Sequence, residues 1–228
     1  GGEDLAELIH GMDLGFDDFL IKPFDPLTLQ LRVMMNIGRS ELRMQANPLT
    51  KLPGNIAIEK VLKERIASAM HYSVCYIDIN HFKSFNDVYG FEKGDAVLQQ
   101  MARIIVDAVR KSGASEPFVG HVGGDDFIVV LHPDHEAPFA KECIKEFDRI
   151  IPAYYTEDDR RRGHVTVRNR KGRIERFPLM SVAVAAVTNL QRKFVNPGEI
   201  AQVAAEVKKF LKTQTGSIYL RDRREKQF

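Results

Sequence analysis

The sequence predicts an α/β sandwich (α+β in layout): a mixed central sheet flanked by helices, behind an N-terminal helical linker. Three observations carry this. Apolar stretches of helical spacing alternate with shorter strand-like ones over residues 55–220. Two of the short ones, VCYIDI (74–79) and residues 179–187, are apolar almost throughout, as strands covered on both faces must be. Between them, two further apolar runs are joined by Gly123, Gly124, Asp125 and Asp126, which reads as a tight hairpin.

The elements follow in order. Residues 4–10 read as a short helix, 18–21 (DFLI) as a short strand, and 26–45 as a long helix opened by Pro26. Along that helix Leu27, Leu31, Met34, Gly38, Leu42 and Gln45 form a narrow stripe, suited to a partner helix or to lying on its own domain. The text changes character at Asn47 and Pro48, which divides the chain into 1–46 and 47–228. Residues 55–70 have helical periodicity through Ile56, Ile58, Val61, Leu62 and Ile66. Residues 73–79 form a strand, and 94–111 an amphipathic helix with Val97, Leu98, Met101, Ile104, Ile105 and Val109 on one face. Strands at 118–122 and 127–131 flank the glycine turn. A helix at 139–151, a buried strand at 179–187, a helix at 197–212 and a last strand at 217–220 complete the set. Residues 157–176 stand apart, with basic residues at 160, 161, 162, 168, 170, 171, 173 and 176. The segment HVTVRNRKGRIERF (164–177) alternates with period two about 169–172 and predicts a projecting hairpin, whose charges fit a solvated face.

At 228 residues the chain is one domain with a fragment, or one enlarged domain. Its 33 Lys and Arg against 31 Asp and Glu leave +2, which argues against a wholesale nucleic-acid partner. Hydrophobic residues at 44% exclude the disordered class. Cys75 and Cys143 lie in apolar text without metal-ligand spacing and read as reduced core thiols. No apolar run approaches the roughly 18 residues of a membrane helix, and no signal pattern opens the chain. The expected location is the cytoplasm, with no membrane partner.

Chemistry concentrates at a few positions. Asp78 is a carboxylate near the end of an apolar strand and needs a cation, a metal or solvent there. If that strand neighbours the hairpin, Asp78, Asp125 and Asp126 converge as hard oxygen ligands suited to Mg²⁺ or Mn²⁺, an arrangement able to support phosphoryl or nucleotidyl transfer. Taken alone, Asp125 and Asp126 are also ordinary turn residues. After the strand, Asn80, His81, Phe82 and Lys83 enter a short helix whose first amides could face a phosphate. Asn86 and Asp95 could read guanine, Asp95 accepting from its N–H groups; they read equally as a helix cap and a first-turn acid.

NPLTKLPGN (47–55), YIDINHFKSFNDVYGFEKGD (76–95) and GGDDF (123–127) closely resemble, in order and spacing, the three signature blocks of GGDEF-domain diguanylate cyclases. The resemblance covers about residues 47–220. It implies a sheet-and-helix fold related to the nucleotide-cyclase palm, and condensation of two GTP into cyclic di-GMP by two sites face to face in a homodimer. It implies two Mg²⁺ or Mn²⁺ per active site. Asp78 and Asp125 would be metal ligands, with the carbonyl of Ile79. Asp126 would hold a second ion or help deprotonate the attacking 3′-hydroxyl. Asn86 and Asp95 would read guanine, the amides of His81 and Phe82 with Lys83 and Lys212 would hold phosphates, and Gly123 and Gly124 would leave room for nucleotide.

The chain departs from that pattern in places. Asp126 stands where the family usually has Glu, one methylene longer; Asn80 replaces an Asp, and Phe91 a frequent His. Ser217 follows Gly216 where a phosphate-binding Arg is usual, with Lys208, Lys209 or an arginine of the basic hairpin as stand-ins. The inhibitory RxxD motif is absent, since Ala114 to Pro117 read ASEP, so no feedback through that site is expected. A quieter GGDEF-like module that binds GTP or a protein partner as a sensor is the alternative.

Upstream, GFDDFLIKPFDP (15–26) resembles the last strand and final helix of a response-regulator receiver, with Lys22 at the phosphoryl-contacting lysine and Pro23 at the expected cis proline. This implies an upstream histidine kinase for the full-length receiver. Asp17 and Asp18 are not the phosphoacceptor.

Overall fold

The computed structural model describes residue 18, residues 20–168 and residues 172–224. The chain divides into two compact units, 1–46 and 47–228. In the first, helix α1 spans Pro26–Gln45. The Asp25 carboxylate caps its start, accepting from the Thr28 backbone N–H at 2.9 Å and from the Thr28 hydroxyl. Leu27, Leu31 and Met34 of the sequence stripe are exposed. The Lys22–Pro23 peptide is cis. Asp18, Leu20 and Ile21 do not form the strand expected at 18–21: among the described residues no partner strand gives them a ladder. The helix expected at 4–10 lies outside the described residues.

The second unit runs α2 (Asn55–Ala67), β1 (Ser73–Asn80), α3 (Phe82–Tyr89), α4 (Phe91–Ser112), β2 (Phe118–Gly123), β3 (Asp126–Leu131), α5 (Pro133–Ile150), a 3₁₀ turn (Ile151–Tyr154), α6 (Glu157–Arg162), β4 (His164–Arg168), β5 (Ile174–Pro178), β6 (Ser181–Thr188), α7 (Pro197–Leu211) and β7 (Ile218–Arg221). Five strands make a mixed sheet in the order β2-β3-β1-β6-β7, antiparallel except for the parallel β6–β7 pair. The fold is the mixed α/β one expected.

Strand alternation decides which helix each residue meets. On β1, Cys75, Ile77 and Ile79 join Val97, Met101 and Ile105 of α4 and Phe139 and Phe147 of α5 in one core layer. Val74 faces the other way, with Ile128 and Val130 of β3, towards Ile58 and Leu62 of α2 and Ile200 and Ala204 of α7. Ala183 and Ala185 of β6 let Val207 and Leu211 of α7 approach closely. By the same alternation Asp78, Asp126 and α7 share one side of the sheet.

Several boundaries differ from expectation, among them α4, which starts at Phe91 rather than 94, and α2, which ends at Ala67 rather than 70; a further boundary and one unexpected helix show the local reasons. α5 begins at Pro133 rather than 139, because Pro133 takes the first helical position and the His132 ring accepts from the Asp134 N–H, so Pro138 falls inside the helix. The unexpected α6 is a single capped turn and a half, started by the Thr156 hydroxyl and ended by Gly163 at φ +72°.

Candidate active site

β1 and β3 pair so that Asp78 lies directly opposite Asp126, with Asp125 next to it on the turn. Asp78 is 3% exposed. Its Oδ2 meets Lys208 Nζ at 2.9 Å and Lys212 Nζ at 3.1 Å, and Lys208 Nζ also donates to Asp126 Oδ1. Burial alone would push the Asp78 carboxyl up, but the hydrogen bonds and charges of Lys208 and then Lys212 hold it below the usual carboxylate range. Asp125 is pushed up, first by burial and then by the charge of Asp78. For Lys208 burial works against the charge, and the two carboxylates outweigh it, raising the ammonium.

Asp78 Oδ1 is buried without a hydrogen-bond partner. Leaving a buried carboxylate oxygen unpartnered is costly. The donor set is hard oxygen, and this orphan beside Asp125 suits a magnesium-type ion. The β3 ladder ends at Asp126, while Ile79 and Asn80 extend past it, paired with Val182 and Ser181 of β6. Among the described residues no cluster of three or more His, Cys, Asp or Glu forms a ready metal cage; Lys208 holds Asp126, and Lys208 and Lys212 hold one oxygen of Asp78.

The turn itself needs its glycines: Gly123 and Gly124 have φ of +146° and +57°, the left-handed region that side chains resist. It is anchored by His121, 2% exposed, whose Nε2 lies 2.9 Å from the Gly124 carbonyl and whose Nδ1 lies 2.9 Å from the Thr50 hydroxyl. The His121 ring stacks on Phe127 at 4.2 Å, and its backbone N–H donates to the Pro53 carbonyl. Burial pushes the imidazole down towards its neutral form. Residues 47–53 are thereby tied to the turn that carries Asp125.

The remaining expected residues flank α3. His81 takes a left-handed conformation, φ +62°, and turns the chain into α3 at Phe82; Lys83 is exposed beside it. Asn86 is not a helix cap but lies inside α3, and Asp95 lies beyond the first turn of α4. Asn86 Oδ1 is buried and unpartnered, and Asp95 is exposed. Gly94 makes room for the Asn86 amide: a Cβ there would lie 2.0 Å from Asn86 Oδ1. Ser217 is committed elsewhere, its hydroxyl accepting from the Val182 N–H at 2.9 Å and donating to Asp148. Phe91 is 77% exposed.

β4 and β5 form the predicted hairpin, whose tip at 169–171 lies outside the described residues. Val165 and Phe177 pack it on the core, and Asp159 of α6 accepts from the Tyr89 hydroxyl at the end of α3. The Phe177 ring lies 6.3 Å from that of His81. Arg161 and Arg162 pair with the acids of α6.

Sequence reasoning missed the position of Lys208 on the two carboxylates and the anchoring role of His121. For Lys208 a signal existed in its spacing of four from Lys212, which puts both on one helical face. For His121 there was none.

A mixed sheet flanked by helices, ending in paired carboxylates, a glycine turn and a short helix, defines an α/β domain with a candidate metal edge. Residues 45–168 match the family model described as diguanylate cyclase, GGDEF domain, and the chain belongs to that family. It is 34% identical over 128 residues to diguanylate cyclase DosC of Escherichia coli K12, covering 54% of this chain and 26% of that protein. It is 27% identical over 150 residues to the response regulator PleD of Caulobacter vibrioides, covering 58% of this chain and 32% of PleD. The chain thus spans about a quarter to a third of these relatives. Among solved structures, the GGDEF domain of TpbB (YfiN) from Pseudomonas aeruginosa superposes with a TM-score of 0.55 at 22% identity, covering 77% of this chain and 93% of that one, a likeness of fold.

Proposed function

We propose that the chain is a diguanylate cyclase that joins two GTP into cyclic di-GMP and releases two pyrophosphates, acting as a homodimer in the cytoplasm. The observation that carries the reading is the orphaned Asp78 Oδ1 beside Asp125, in a chain of this family whose Asn86 also presents an unfilled buried acceptor. Asp78 and Asp125, with the Ile79 carbonyl, would hold a divalent ion, which would supply charge stabilisation at the α-phosphate. Asn86 and Asp95 read the guanine edge; adenine would leave the Asp95 carboxylate without its donors. His81, Phe82, Lys83 and Lys212 bind phosphate oxygens, and Gly123 and Gly124 leave the turn bare. Each 3′-oxygen then forms a bond to the partner nucleotide's α-phosphorus, the bond to the β-phosphate bridging oxygen breaks, and pyrophosphate leaves. The 3′-hydroxyl proton passes to Asp126 or to solvent.

The upstream segment with Lys22 and Pro23, together with the likeness to a protein named a response regulator, supports an output role under a receiver and its histidine kinase. The decisive experiment is product chromatography after incubation with GTP and Mg²⁺. Cyclic di-GMP from the wild type, none from Asp125→Ala, and a faster rate from Asp126→Glu are expected. No cyclic di-GMP from a demonstrably dimeric sample refutes the enzyme. One observation favours the quieter GTP-binding module: Lys208 already occupies both Asp78 and Asp126. Retained GTP binding without product would select it.

A further inference from the structure

We propose that Lys208 takes the place of a second divalent ion, so that this site holds one metal ion per protomer, on Asp78 and Asp125, with the Lys208 ammonium fixed on Asp126. The proposal rests on the guanine-nucleotide reading above.

The distribution of partners points to it. Asp78, Asp125 and Asp126 bring three negative charges, and Lys208 and Lys212 bring two positive ones. These cations are not spread evenly. Both lie on Asp78 Oδ2, and Lys208 alone reaches Asp126. Lys208 Nζ therefore lies between two of the three carboxylates, where an ion bridging them would sit. Its side chain is 17% exposed, so the ammonium is held in the site and little screened by solvent.

Asp78 Oδ1 and Asp125 are less well served, and the charge of Lys212 is the smallest of the influences on Asp125. Asp78 Oδ1 is buried and unpartnered, and the Asp125 side chain, which feels the Asp78 charge, is met by its own backbone N–H and by no ion pair among the described residues. One cation is thus still wanted, at Asp78 Oδ1 and Asp125. A second divalent ion on Asp126 would have to share its carboxylate with an ammonium already bonded there, and like charges at that separation repel strongly. The short side chain at 126 fits this arrangement, since an aspartate carboxylate stays close to its strand and to the Lys208 ammonium reaching over from α7.

The test counts metal ions directly. The whole chain is saturated with guanosine 5′-(α,β-methylene)triphosphate, whose α–β linkage cannot be cleaved, and titrated with Mn²⁺. Free Mn²⁺ is read by its electron paramagnetic resonance signal and bound nucleotide by absorbance. The wild type is expected to hold one Mn²⁺ per bound nucleotide, and Lys208→Met two. Lys208→Arg, which keeps the charge, and Lys209→Met, on the exposed neighbour, should stay at one. If Lys208→Met does not fold, Lys208→Gln serves the same comparison. Two ions in the wild type, or one in the neutral variants, overturns the assignment of Lys208 while leaving the nucleotide reading intact. Absence of bound nucleotide in every chain overturns that reading and the proposal with it, and the absorbance count tells the two failures apart.

Discussion

Replacing Gly94 by alanine should damage guanine recognition without damaging the fold. The added Cβ would lie 2.0 Å from Asn86 Oδ1 and 2.9 Å from its Cγ. Ordinary contact needs well over 3 Å, so the amide must swing away by more than an ångström. The clash is with the end of a side chain, not with backbone, so the strain is relieved by rotation of Asn86. Gly94 is inside α4, where alanine is favoured over glycine by about 1 kcal/mol, which offsets residual crowding. Stability should therefore change little in either direction. Affinity should not escape: losing a base contact and leaving a buried partner unpaired costs about 1–3 kcal/mol, or roughly 5- to 150-fold in Kd. Calorimetric titration with the non-cleavable GTP analogue, beside a thermal melt, measures both quantities. In an Asn86→Ala background the Gly94→Ala change should have almost no further effect on affinity, because the group it displaces is gone. Unchanged affinity in the single variant, or a full additional loss in the double, refutes the placement of Asn86 in the base site.

Three further outcomes follow from the surrounding structure. Glu136 is fully buried and accepts from Arg221 Nε at 2.8 Å and from the Tyr219 hydroxyl, so Arg221→Ala strands a buried charge. Arg221 is itself 29% exposed, which places the loss near the lower end of the usual range, about 3 kcal/mol or roughly a 6–12 °C fall in Tm; a change under about 1 kcal/mol contradicts this. Asp159 is held below the usual carboxylate range by the Tyr89 hydroxyl first, then by Arg162 and Thr156, against the effect of burial. Its contribution is therefore complete above the ordinary aspartate value of about 3.9 and is lost as pH falls through the depressed folded value. Proteolysis of residues 156–178 should accelerate only in acid, and Tyr89→Phe should move that onset to higher pH; an unmoved onset removes Tyr89 as the cause. Burial pushes the Cys143 thiol up to about 12 and the Cys75 thiol well above its ordinary value, so neither should react with a thiol reagent in the folded chain and both should in denaturant.

The sheet was legible because its central strands are buried on both faces and leave no ambiguity of period: β1 and β6 fall within one residue or two of expectation. The strand ends of the signature hairpin were legible for a different reason, since two adjacent glycines mark a turn whose positive-φ backbone other residues resist. Expectation failed where a boundary depends on a cap. The sequence places the start of this helix at 139, yet Pro133 and the capping ring of His132 start α5 six residues earlier. At 18–21 it failed because a strand needs a partner, and a run of four residues says nothing about where one lies.

The site divides along the same line. Asp78, Asp125 and Asp126 could be placed together because two neighbouring strands suffice to join them, and a cross-strand pair is a short-range consequence of register. Lys208 could not, although its chemistry is as simple. Its position over the carboxylates depends on the run from β6 through α7 to β7, and on Ala183 and Ala185 being small enough to bring α7 down onto the sheet. That approach carries the face of α7 with Lys208 and Lys212 over the end of β1. Enlarging those alanines would therefore act on the site through distance alone: Ala185→Val adds two methyl groups beneath Val207 and Leu211 and should lift α7. A weakened grip of Lys208 on Asp126 would follow, and with it a rise in Mn²⁺ uptake by the nucleotide complex that an unlifted helix would not show.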